Sequence, residues 1–303
     1  MKNTYLEQYK AQQLRACQLK QLSILEEIDR ICQKHQIGYW LDGGTLLGAV
    51  RHGGFIPWDD DVDVFMTRPE FDRLDKVFPR EGRFVWQSRS RIPRYEYVYG
   101  RVMDSRTIIM EAGGLPSEGK GVFLDVCVVD GLPDNKFLRK AHITYMKYLY
   151  KGRRTVITDP NQADYYEKGL AHRIIKDTLN RTTDLEFWQK RMEKAMKRYP
   201  FNGGRYVGNF CSQYGAREML HRTAFSSYQE MTFEGHSFMV CRGWEEYLKN
   251  IYGNYMQLPP PEKRVSNHGG DSVWLMEEGE TREECIRQYR SQKTDSGKGQ
   301  EKV

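Results

Sequence analysis

No stretch of this 303-residue chain approaches the roughly 18 consecutive apolar residues of a membrane-spanning helix. Its first residues, Met1-Lys2-Asn3-Thr4-Tyr5-Leu6-Glu7-Gln8, lack the apolar core of a secretory leader. Cysteine is sparse. The six are Cys17, Cys32, Cys127, Cys211, Cys241 and Cys285, and no two form a CxxC pair. That spacing argues against a structural zinc site and reads as reduced thiols, which predicts a cytoplasmic protein. A strong charge of one sign is also missing: 47 Lys+Arg against 41 Asp+Glu leaves +6. So mild an excess suits anionic substrates. An RNA binder would show a basic stripe with aromatic platforms. Here the basic residues are spread out, with short clusters such as Lys151-Gly152-Arg153-Arg154. There is no internal repeat.

What is present begins with a helical pattern. Leu14, Cys17, Leu22, Leu25, Ile28 and Cys32 recur every three to five residues and predict a helix from about Thr4 to His35, with Gly38 as its stop. Ile37–Leu41 reads as a short buried strand. Gly43-Gly44 breaks it, and Thr45 is placed to cap a short helix through Val50. Asp61–Met66 alternates like a strand. Further strands are expected at Phe84–Gln87, Tyr95–Met103, Thr107–Glu111 and Gly121–Val129, and a helix at Pro69–Val77. From about Asn135 to Tyr199 the pattern is mostly helical, and a mixed segment follows to Trp274. After Tyr289 the composition predicts a disordered tail.

The chemistry concentrates in Tyr39–Met66, which holds Asp59, Asp60, Asp61 and Asp63. Crowded carboxylates raise one another's pKa, and a cation relieves the crowding. Asp61 and Asp63 stand at i and i+2, so on a strand they share a face while Val62 and Val64 pack behind. Paired acids on a core strand suit a hard cation such as Mg²⁺. A solvated acidic turn is the plainer reading, but the neighbouring Val62, Val64, Phe65 and Met66 argue for a core strand. A calcium loop is a second rival. Asp59, Asp61, Asp63 and Glu70 fall at loop positions one, three, five and twelve. The glycine required at position six is Val64. Gly43-Gly44-Thr45 lies between a strand and a helix, where backbone N–H groups can cradle a phosphate. Asp125 is an acid within the apolar run Val122–Val129.

The segment Asp42–Val64, DGGTLLGAVRHGGFIPWDDDVDV, closely resembles the LicD family, which includes the fukutin-type proteins. Gly121–Pro133 (GVFLDVCVVDGLP) resembles the family's next motif. Phe233-Glu234-Gly235, Tyr247-Leu248, Tyr252–Met256 and Leu258-Pro259-Pro260 are similar to its carboxyl-terminal pattern. The resemblance spans roughly Leu22 to Asp271. It implies an α+β fold of nucleotidyltransferase type, a mixed β-sheet core flanked by helices, with a helical middle and C-terminal section. The expected layout is an N-terminal helix (1–36), a catalytic core (37–135), a substrate-closing section of the same domain (136–275) and a partly disordered tail (276–303).

The resemblance also implies roles. Gly43 and Gly44, with Thr45, are the glycine motif that meets the substrate's phosphates. Asp61 and Asp63 are the metal pair and Asp125 the third carboxylate, with Asp130 as its competitor. All three acids are expected to be catalytic and to hold Mg²⁺, with Mn²⁺ as the alternative cofactor. From their position in the chain rather than from the resemblance, Arg51 and Arg101 near the motifs and His268 after the Pro-rich turn, with Lys263 and Arg264 beside it, are expected at the substrate, and Trp40, Trp58, Tyr97 and Tyr99 are the aromatic residues open to a choline group. The implied reaction moves phosphocholine, or a related phospho-alcohol, from a CDP-linked donor such as CDP-choline to a hydroxyl of a cell-surface glycan or glycolipid, releasing CMP. Lipopolysaccharide, teichoic acid and capsule are the acceptors of that class. No nucleic-acid partner is expected. Peripheral association with the inner face of the membrane is. The rival readings are a nucleotidyltransferase on a small molecule or RNA, releasing pyrophosphate, and a non-catalytic binding member.

Overall fold

The computed structural model describes residues 2–111, 115–116, 121–157, 178, 182–210, 214–265, 272–275, 280–281 and 283–287. The chain opens with α1 (Lys2–His35), β1 (Trp40–Leu41), α2 (Gly43–His52), β2 (Asp63–Thr67) and α3 (Arg68–Val77). It continues with β3 (Phe84–Gln87), β4 (Gly100–Asp104), β5 (Thr107–Glu111), β6 (Leu115–Pro116) and β7 (Phe123–Leu132). Then come α4 (Lys136–Ile157), α5 (Leu185–Met196), β8 (Tyr206–Asn209), β9 (Met219–His221), the hairpin β10 (Tyr228–Phe233) and β11 (His236–Cys241), α6 (Trp244–Tyr252) and β12 (Ser272–Leu275).

The main sheet is built around β7, whose ten residues are nearly all buried. Its run of Val, Leu and Cys is what a strand covered on both faces requires. β2 pairs parallel to it along one edge, and β1 extends the sheet beyond β2. Along the other edge β7 pairs antiparallel first with β4 and then, through its second half, with β8. β3 and β9 complete seven strands. The result is a curled, mixed sheet flanked by helices, which is the α+β architecture that the sequence leads one to expect. α1 lies across it and buries Ile24, Leu25, Ile28, Ile31 and Cys32 in the common core.

Several boundaries differ from expectation. Asp42, not Thr45, is the residue before the first turn of α2, and the helix runs on to His52. Gly53 ends it at φ 69°, a left-handed position that glycine adopts without strain. β2 starts at Asp63, so Asp61 lies in the extended lead-in. β4 starts at Gly100, whereas a strand was expected from Tyr95. The alternating Tyr95, Tyr97 and Tyr99 pack on one another, edge-to-face and then tilted, with ring centroids 5.6 and 4.9 Å apart, in a segment that turns at Arg94 (φ 58°). The tail after Tyr289, the middle helical stretch 158–177 and His268 lie outside the described residues. Among the described residues, Cys17, Cys32, Cys127, Cys241 and Cys285 are in no disulfide.

Candidate active site

The site forms where β1, α2, β2 and β7 meet. The Asp42 N–H donates to the Asp63 carbonyl at 2.9 Å, and the Asp63 N–H donates to the buried Thr45 hydroxyl at 2.9 Å. Both backbone polar groups of Asp63 are therefore fixed by the strand–helix junction. Thr45 serves this junction from within the core, beneath the helix. On the other side Asp63 stands abreast of Asp125, its register partner in the parallel pair, and the Asp125 N–H donates to the Val62 carbonyl at 3.2 Å. Asp125 is in turn opposite Arg101 on β4. The sheet thus carries a row Asp63–Asp125–Arg101 across three adjacent strands, all on one face.

Arg101 is committed to Asp125. Its Nε and Nη2 donate to the two carboxylate oxygens at 2.6 and 3.0 Å. The guanidinium lies over the rings of Phe123 and Tyr97, 3.5 and 4.5 Å from their centroids. Asp130, five residues along β7, points to the opposite face and is buried against Arg68 with hydrogen bonds of 2.8 and 2.6 Å. The competing third carboxylate is therefore engaged on the far side of the sheet.

The acidic loop before β2 is held from α1, which the sequence did not suggest. Buried Gln18 donates to the Asp59 carbonyl at 2.9 Å, and buried Gln21 to the Asp60 carbonyl at 2.7 Å. Their separation of three residues puts both on one face of the helix. A second clamp comes from the β10–β11 turn. Glu234 accepts from the Phe55 N–H at 3.0 Å and pairs with Arg15 at 2.5 Å. So fixed, Asp59, Asp60 and Asp61 each bring a carboxylate oxygen within 4.8 Å of the others.

This crowding perturbs the acids. Burial, then the charge of Asp61, push Asp59 from 3.8 up to about 8. Burial lifts Asp42 to about 6 although the Tyr247 hydroxyl donates to it. Asp63 is pushed well above the usual carboxylate range by burial, then by Asp61, Asp125, Asp42 and Asp59. Hard carboxylates crowded together, whose charged forms burial and mutual repulsion disfavour at Asp59 and Asp63, fit a hard divalent cation such as Mg²⁺. The sign follows from linkage. Between about pH 5 and pH 8 the folded chain retains protons that the unfolded carboxyls have released, so this contribution to stability falls as pH rises. Without divalent cations the melting temperature of the wild type, relative to Asp59→Asn, is expected to drop across that window. A flat difference would show that Asp59 is not so perturbed.

Above these acids lies a cavity of about 550 Å³. Asp42, Gly43, Gly44, Asp59, Asp61, Asp63 and Cys127 line its floor. Trp58, Tyr150, Tyr214, Tyr252 and Tyr255 line its walls, with Glu218, Asn209, Arg51 and Lys263 among them. Arg51 donates to the Tyr255 carbonyl at 3.0 Å, which ties α2 to the loop after α6. Arg264 lies 5.6 Å from the Trp58 ring centroid. Of the aromatic candidates Trp58 reaches the cavity, while Trp40 is a core residue packed on Phe65 and Phe225. Tyr97 and Tyr99 gather near Arg101 and Asp125 instead.

Gly44 is fixed by a close approach. A Cβ there would stand 2.6 Å from an Asp59 carboxylate oxygen. Gly44→Ala must displace that carboxylate. We expect a stability loss of about 1–3 kcal/mol and a fall in turnover, read by thermal melts and a product assay. An alanine variant with unchanged activity would show that the position of Asp59 does not matter.

Residues 36–157, which hold the glycine-opened helix and the carboxylates abreast on parallel strands, match the family described as LicD/FKTN/FKRP, nucleotidyltransferase domain. The chain is 32% identical over 262 residues to the lipopolysaccharide cholinephosphotransferase LicD of Haemophilus influenzae, covering 84% of this chain and 96% of that protein. It belongs to the LicD family. Over 58 residues it is 68% identical to the ribitol 5-phosphate transferase FKRP of Homo sapiens, 17% of this chain and 12% of that one.

Proposed function

We propose that this protein transfers a phosphorylated alcohol, phosphocholine foremost, from a CDP-linked donor to a hydroxyl of a cell-surface glycan, and releases CMP. The observation that carries the reading is the row Asp63–Asp125–Arg101 beside the start of α2, in a chain related along 84% of its length to a cholinephosphotransferase. Gly43 and Gly44 line the cavity at the start of α2, and their backbone N–H groups, that of Gly43 now given to the Asp42 carboxylate, would donate to phosphate oxygens of the donor. Asp61 and Asp63, with Asp59 beside them, would hold Mg²⁺. When bound, the cation shields the pyrophosphate charge that otherwise repels an incoming hydroxyl. Arg101 pins the Asp125 carboxylate next to Asp63, where it joins the cation site or takes the acceptor's proton. The acceptor oxygen bonds to the alcohol-bearing phosphorus, the bond from that phosphorus to the CMP oxygen breaks, and the acceptor's proton passes to a carboxylate.

Choline is favoured over a neutral polyol by the walls of the cavity. Tyr150, Tyr214, Tyr252 and Trp58 line it, and Glu218, which accepts from Asn209, lines it with them. Aromatic faces with an anion nearby suit a quaternary ammonium. The test is CMP release with Mg²⁺ and CDP-choline, CDP-ethanolamine, CDP-glycerol or CDP-ribitol, with mass spectrometry of the acceptor. CDP-choline should give the highest rate. A cytidine nucleotide left on the acceptor, or pyrophosphate released from CTP or ATP, would replace this reading with nucleotidyl transfer.

A further inference from the structure

Beside its buried row of His142, Ile143, Met146 and Leu149, α4 carries an exposed apolar strip that ends where Trp188 of α5 covers Gly152. Phe137 is 82% exposed, Tyr148 59%, Leu138 56% and Tyr145 39%. At about 100° per residue these four fall, with Ala141, in one sector of roughly 100°. Large apolar residues clustered in the open on one helix mark an interaction surface.

The borders of this sector are cationic. α4 carries seven Lys or Arg and no Asp or Glu, against a net charge of +6 for the entire chain. Lys140, Lys147 and Lys151 are exposed along one border. Along the other, Tyr145 and the basic residues of α5 and of the turn after it form a groove of about 850 Å³. Lys190 and Lys197 are paired there with Glu186 and Glu193 of α5. Arg191, Lys194 and Arg198 have no carboxylate within ion-pair distance among the described residues.

We infer that this face docks on an anionic phospholipid bilayer. α4 lies in the plane of the interface, its apolar sector enters the boundary between headgroups and acyl chains, and the two cationic borders meet lipid phosphates. The tyrosines suit that depth, where one end of the ring is wet. A second copy of the chain is a poor occupant, because it would set one strongly basic helix against another. The placement also serves the site. Tyr150, on the inner side of the same helix, lines the catalytic cavity, so about one helix diameter, roughly 10 Å, separates bilayer from cavity. No described helix is long and apolar enough to cross a membrane, so the surface supplies attachment without a span. The inference rests on the proposed transfer only for its purpose, the reach to a lipid-borne glycan.

The test is co-sedimentation of the full chain with vesicles of phosphatidylcholine, with and without phosphatidylglycerol. Binding should require phosphatidylglycerol and weaken with salt. Phe137→Ser with Tyr148→Ser should abolish it, and neutralising Lys147, Lys151 and Lys194 together should lower the partition coefficient about 10²-fold, some five-fold for each charge. Both variants should keep wild-type rates on a short water-soluble acceptor. Equal binding to both vesicle types, or none, would overturn the inference. So would a wild-type dimer in gel filtration that Phe137→Ser with Tyr148→Ser converts to monomer, since a second copy would then be the occupant. Vesicle binding without CMP release would remove the proposed transfer and leave this surface standing; CMP release without vesicle binding would do the reverse.

Discussion

In the Asp63→Asn protein, transfer should fall by about 10³-fold or more while the fold survives, and Asp61→Asn should behave alike. The backbone of Asp63 is held by Asp42 on one side and Thr45 on the other, and neither bond involves the carboxylate. An amide of the same shape therefore leaves the junction intact. What it removes is a charge from a site where burial and four neighbouring carboxylates already disfavour one. Without divalent cations the variant should melt higher than wild type, because the repulsion is gone. With Mg²⁺ the order should close or reverse. Wild type gains stability in proportion to how far the ion exceeds its dissociation constant, and the variant gains less. Paired melts with and without Mg²⁺, beside the CMP assay, read both effects. Retained activity in either variant would remove these residues from the cation site.

The alternation that marks β2 was visible because valines behind and acids in front are what a half-buried edge of a core strand needs. The same alternation could not say that the strand begins at Asp63. An extended lead-in has the same period, and only the pairing with β7 separates the two. The glycine pair announced a helix start, but Asp42 took the flanking position, because its N–H is needed by the Asp63 carbonyl. Tyr95, Tyr97 and Tyr99 read as a strand because aromatic residues at period two normally do. Here they pack against one another, edge-to-face and tilted, within a bent segment.

The missed parts of the site are long-range. Gln18 and Gln21 look like solvent-facing residues of a polar helix, yet both are buried over a loop some forty residues away. Nothing in their local spacing signals this. Their one cue is that they continue the face of Leu14, Cys17 and Leu25 into the core. Arg101 was expected at a phosphate because it is a cation near the motifs. Pairing of β4 with β7 puts Asp125 directly opposite, and the nearer anion holds it. Tyr214 and Glu218 reach the cavity from a segment whose sequence carries no motif.

That pairing sets the second large effect. Arg101→Met should destabilise the protein by about 3–5 kcal/mol, since Asp125 would remain beside Asp63 with its buried partner gone. Asp125→Asn should cost less stability, because losing the partner of Arg101 is offset by relief at Asp63, whose pKa Asp125 helps to raise. It should still lower turnover about 10²–10³-fold, as expected when a positioned acid or base is removed. The double variant, Arg101→Met with Asp125→Asn, should return to within about 1–2 kcal/mol of wild type and stay inactive. Recovery of the fold without recovery of transfer separates the ion pair's structural role from the carboxylate's chemical one. Asp130→Asn is the control on the same strand. Its bond to Arg68 faces the other side of the sheet, so it should lose stability and keep its turnover per folded molecule. If Asp125→Asn kept nearly full turnover and Asp130→Asn lost it, the third carboxylate would be on the Arg68 face, and the row Asp63–Asp125–Arg101 would be structural.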